Sequence, residues 1–92
     1  MNPSIDIMSQ HQNSQPIHSD VMEVKSHVQR FNGECMLNTI MVDGYDCPFQ
    51  YRREFKYKNL EGKQVDLSYY PAVEMIAGFE MEIMKVVHLK VL

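Results

Sequence analysis

The chain has 92 residues, is 45% hydrophobic and 23% charged, and carries a net charge of −3. That length allows one domain, and the composition is ordinarily globular. The acidic total excludes a generic phosphate binder, whose pI is usually high, so any nucleic-acid contact must rest on a local patch. Cys35 and Cys47 read as reduced thiols, no apolar run approaches the ~18 residues of a membrane span, and no basic residue precedes Lys25 as a secretory leader would require. The expectation is a cytoplasmic chain that does not enter a membrane.

Residues 1–19 are rich in Ser, Asn and Gln, hold two prolines, and have few apolar anchors. They are expected to form a disordered polar tail, with residues 20–92 as a single small β-rich domain. Val21 to Phe31 supports two readings. As a strand, Met22, Val24 and Val28 share a face, with His27 among the polar residues opposite. As a helix, Val21, Val24, Val28 and Phe31 form a stripe, with Asp20 and Glu23 imitating a capping box and Gly33 at the C-terminal cap. The three valines favour the strand.

Cys35 to Val42 is apolar and β-branched, and Asp43-Gly44 closes it with a turn. Phe49 to Lys58 alternates: Tyr51, Arg53, Phe55 and Tyr57 fall on one side, and Arg52, Glu54, Lys56 and Lys58 on the other. Asn59-Leu60-Glu61-Gly62 is a turn leading into Lys63 to Tyr70, where Val65, Leu67 and Tyr69 share a face. Pro71 is expected to end that strand, since it lacks a ladder donor. Phe79 to Leu92 begins with Phe79, Met81 and Ile83 inward, and a bulge or bend near Met84-Lys85, before the doubly apolar Val86-Val87, would re-phase it. A helix over 72–87 is the competing reading. Val86 to Leu92 is apolar on both faces, which fits a central strand or a strand across a dimer interface.

Five strand candidates joined by short turns predict a mainly β fold: a small five-stranded open barrel, of oligonucleotide-binding or SH3-like type. An α+β fold with residues 21–31 helical is the alternative.

Residues 49–63 hold five of the nine Lys and Arg and four of the nine aromatics; five cations against two acids leave a local +3, with −6 on the rest. Single-strand binders combine cations that track phosphates with aromatics that stack on bases. The candidate contact residues are therefore Tyr51, Arg52, Arg53, Lys56, Tyr57, Lys58 and Lys63, with Tyr70 as the outward member of Tyr69-Tyr70. The same pattern also describes a strand with an aromatic core side and a wet basic side; nucleic-acid contact requires Tyr51, Phe55 or Tyr57 to be exposed beside Arg53.

Catalytic motifs of the nucleophile-elbow, zincin, phosphate-loop and dinucleotide types are absent from the sequence. The two cysteines lack the close pairing of structural zinc sites, and the methionines fill apolar positions rather than forming a ligand cluster. No cofactor or metal is expected. The expected role is a non-catalytic binding module acting on a protein partner or on itself as a homodimer, with single-stranded nucleic acid as the alternative partner.

Overall fold

In the computed structural model, which describes residues 15–92, five strands follow one another: β1 (Ile17–Phe31), β2 (Met36–Val42), β3 (Phe49–Arg53), β4 (Gln64–Ile76) and β5 (Phe79–Val91). They close into one barrel in the order β1-β2-β3-β5-β4, with β4 returning to β1. All neighbours are antiparallel except β3 and β5, which run parallel. An SH3-like meander has no parallel pair, so the connectivity is that of the oligonucleotide-binding-type barrel. The expected mainly β barrel is what the chain forms, closed rather than open. The helical alternatives for 21–31 and 72–87 do not occur, and no helix among the described residues is long and apolar enough to cross a membrane.

The tail expectation for residues 1–14 lies outside the described residues. Ile17, His18 and Ser19 belong to the barrel instead, paired with Tyr69, Ser68 and Leu67 of β4. β1 pairs with β4 in its first half and β2 in its second, and it turns between them through two irregularities. At the first, Val21 takes a left-handed φ of 55°, and its N–H donates to the Asp66 carboxylate at 2.9 Å. At the second, between Val24 and Ser26, the extra Lys25 reverses the face of every later residue. His27 therefore turns inward and Val28 outward, opposite to the simple alternation.

The core is Val24, Ile40, Val42, Phe49, Val65, Leu67 and Tyr69. Ring edges pack Tyr45 on Phe49 and Phe49 on Tyr69, at centroid separations of 5.4 and 4.8 Å, and fill one end of the interior. Burial raises the Tyr69 phenol, whose oxygen lies 2.9 Å from the Ser19 hydroxyl.

Three strand limits differ from the sequence pattern. β3 stops at Arg53, so Phe55 and Tyr57 lie in the following loop, exposed. β4 runs straight through Pro71. The Met84 N–H, opposite Pro71, points away from β4 to the Pro48 carbonyl at 2.8 Å. Pro71–Met84 is thus a non-hydrogen-bonded pair, and the missing donor falls on the side where no described strand pairs with β4. β4 then continues to Ile76, turns through Ala77-Gly78 and returns as β5. Both turn residues have positive φ, 52° and 85°, the twist of a type I′ hairpin. In β5 the expected re-phasing occurs, two residues past Met84-Lys85 at Val87, where Ser68 pairs with His88 and Tyr69 with Val86. Of the expected inward set Phe79, Met81 and Ile83, only Ile83 is buried, and Val87 and Val91 are exposed rather than buried on two sides.

Candidate functional site

The β3–β5 seam is short. Only Phe49–Met84 and Gln50–Lys85 pair across it. Beyond them Tyr51–Arg53 and Val86–Leu89 separate, leaving a cleft of about 250 Å³. The cleft shares Tyr51, Arg53 and Leu89 with a larger cavity of about 510 Å³ at the barrel mouth. Leu60, Leu89 and Val91 give this mouth its apolar lining, His27 and Asn38 its polar one, and Arg53, Tyr57, Lys58 and Lys63 its basic and aromatic surround.

The loop after β3 forms one wall, and side chains of β1 hold it in place. His27, only 7% exposed, is the main anchor. The Leu60 N–H donates to its Nδ1 at 2.9 Å, so in the neutral ring Nε2 carries the proton and donates to Asn38 Oδ1 at 2.7 Å. Asn59 Nδ2 donates to the His27 carbonyl at 3.0 Å. Two residues along β1, the Gln29 amide pairs with both sides of the Tyr57 backbone: Tyr57 N–H donates to Oε1 at 2.9 Å, and Nε2 donates to the Tyr57 carbonyl at 2.6 Å. The Lys63 N–H then donates to the Leu60 carbonyl at 2.8 Å, with Gly62 at φ 84°, which closes the expected turn.

Pinned in this way, Tyr57 presents its ring to Arg53. The guanidinium carbon lies 4.5 Å from the Tyr57 centroid and 5.9 Å from that of Tyr51. Tyr57 is 52% exposed. Tyr51 points into the mouth, half-buried, its hydroxyl at a long 3.5 Å from His27 Nε2. Burial raises the Tyr51 phenol above its ordinary 10.0, against the opposing pull of Arg53.

The structure thus brings Tyr51, Arg53, Tyr57, Lys58 and Lys63 together, with Lys56 exposed in the same loop. Arg52 turns outward. There Arg30 pairs with Leu37 and Leu37 with Arg52, a row across the outer face of β1–β2–β3. Tyr70 is not in the mouth; it pairs with Lys85 at the outer side of the β3–β5 seam. Among the described residues the ion pair that forms is Lys25–Glu23 at 3.9 Å, and none of the mouth cations takes part in one.

His27, Gln29, Asn38 and Asn59 build the site and are not singled out by composition or motif. Asn38 was findable, because it shares its side of β2 with Ile40 and Val42 and so stands as a polar residue on the core face. His27 was not, because only the bulge at Lys25 turns it inward. No family model matches the chain, and neither does any curated protein or solved structure.

Proposed function

We propose that the chain binds single-stranded nucleic acid at the barrel mouth and along the adjoining outer face of β3, as a binding module without catalysis. The observation that carries this reading is Arg53 stacked over the exposed ring of Tyr57 on a loop fixed by Gln29 and His27. A base laid on Tyr57 or Phe55 gains about 1–3 kcal/mol by stacking, and Arg52, Lys58 and Lys63 stand ready for its phosphates. The fold class alone does not carry the reading, since such barrels host many functions. The negative total is compatible with it because charge is segregated: 49–63 carries +3, while residues 71–84 hold Glu74, Glu80 and Glu82 and no Lys or Arg. The free thiols of Cys35 and Cys47 suit a reducing, cytoplasmic setting.

Anisotropy titration of a labelled single-stranded oligonucleotide over a range of salt tests the reading. Affinity should fall steeply as salt rises, and Arg53→Ala with Tyr57→Ala should weaken it about tenfold or more. Absence of binding at low salt would overturn it. Protein interaction is the second reading, and one observation favours it independently: the apolar surface of the β4–β5 hairpin.

A further inference from the structure

We infer that the β4–β5 arm of one chain seats in the barrel mouth of a second copy. Beyond Pro71 and Met84, among the described residues, the two strands pair only with each other. Side chains of this arm that would ordinarily be covered stand in solvent: Phe79 is 72% and Met75 66% exposed, and Val73, Ile76 and Met81 are exposed too. A cluster of this kind on a small chain marks a contact surface.

Charge chooses the occupant. Direct pairing places Glu74 opposite Met81 and Ile76 opposite Phe79 on one face of the arm, and Val73 opposite Glu82 and Met75 opposite Glu80 on the other. Both faces therefore mix apolar groups with carboxylates. Two arms packed together would set like charges against one another, which is unfavourable. The mouth has the complementary character: Leu60, Leu89 and Val91 as apolar lining, with Arg53, Lys58 and Lys63 around them. At about 510 Å³ it has room for an aromatic anchor such as Phe79.

Distance makes the contact intermolecular. The Val65–Val91 pair lies at the mouth and the Ile76–Phe79 pair at the arm tip. Eleven strand residues at ~3.3 Å each separate them by about 35 Å. No chain can insert its arm into its own mouth. Arm into mouth closes as a two-fold pair when each arm enters the other's mouth, and propagates as a ring or a filament when the contact runs head to tail. The inference rests on the charge and shape of the mouth, and it holds whether or not the mouth also takes nucleic acid.

Sedimentation velocity at low salt, over rising protein concentration and without nucleic acid, tests it. The wild-type chain should shift to multiples of its mass. Arg53→Glu with Lys58→Glu, and separately Glu80→Lys with Glu82→Lys, should each remain monomeric; an equimolar mixture of the two should assemble, because every mouth then meets an arm of opposite charge. Phe79→Ser should weaken wild-type assembly by about tenfold. Far-ultraviolet circular dichroism establishes that each variant keeps the barrel. A wild-type chain that stays monomeric overturns the inference, as does a mixture that fails to assemble. Assembly that survives mouth reversal would mean arm-against-arm pairing, and assembly that survives arm reversal would mean that residues 1–14 or another surface fills the mouth; either overturns it. The arm reversal leaves the mouth residues intact, so oligonucleotide binding is read separately.

Discussion

The mouth and the arm both hold large side chains against water, but they are held in place by different means. In the mouth, the loop that carries Tyr57 is tied to β1 through the His27 ring, the Asn59 amide and the two-way Gln29 contact. In the arm, the strands beyond Pro71 and Met84 pair only with each other among the described residues, Ile83 at its base is the one buried side chain, and the turn places Ala77 at a left-handed φ of 52°. A two-stranded ribbon is marginal by itself, whereas several side-chain bonds to a loop backbone, those at His27 part-buried, hold it in one arrangement. The contrast separates a preorganised receptor surface from a ligand-like extension. It also locates the low-stability part of the molecule, where amide exchange should be fastest.

Substitution is the strongest way to break the comparison. His27→Ala strands the Leu60 N–H and the Asn38 amide together, and should lower unfolding stability by about 3 kcal/mol in urea denaturation. Phe79→Ser, at a side chain 72% exposed, should stay within about 0.5 kcal/mol. Equal costs for the two would mean that the arm is as firmly built as the mouth. A smaller effect of opposite sign is expected at the arm turn. Ala77→Asn places a residue that tolerates the left-handed region where alanine is strained, and should stabilise the hairpin by about 1 kcal/mol. An unchanged or lowered midpoint would show that the turn is not the weak point.

The smallest effect sharpens the mouth side through pH. Folding raises the Tyr51 phenol above 10.0 by burial, so the folded chain favours the neutral ring. The associated stability is fully present below pH 10.0 and is lost as pH rises through the raised folded value. Tyr51→Phe should shrink this alkaline loss without abolishing it, because Tyr69 is also raised by burial. Ultraviolet phenolate titration beside alkaline denaturation checks it. An identical alkaline slope in the variant would place the Tyr51 ring in water.

Much of the barrel was legible residue by residue. Asn38, Ile40 and Val42 alternate inward along β2 up to the Asp43-Gly44 turn, and Val65, Leu67 and Tyr69 do so along β4. The doubled Val86-Val87 announced the β5 bulge within a few residues. Within the site, the basic–aromatic run was visible as composition, but its end at Arg53 was not. The alternation of Tyr51, Phe55 and Tyr57 continues past the last pair with β2, where Arg53 meets Met36 and the strand has no further partner. Pro71 misled for a related reason: whether its missing donor matters depends on which side of the strand the ladder lies.

Local chemistry decided what neighbouring residues can decide: period-two burial, glycine turns, and the division of charge between a +3 stretch at 49–63 and an acidic 71–84. Long-range pairing decided the rest. One extra residue at Lys25 reverses the facing of β1 and puts His27 rather than Val28 inside, and that reversal exists only because β1 must leave β4 and join β2. The end of β3, the passage of β4 through Pro71 and the meeting of Arg53 with Tyr57 likewise depend on partners far along the chain. A strand's faces and limits are set by hydrogen bonds to other strands, and the spacing of the strand's own residues records those bonds only in part.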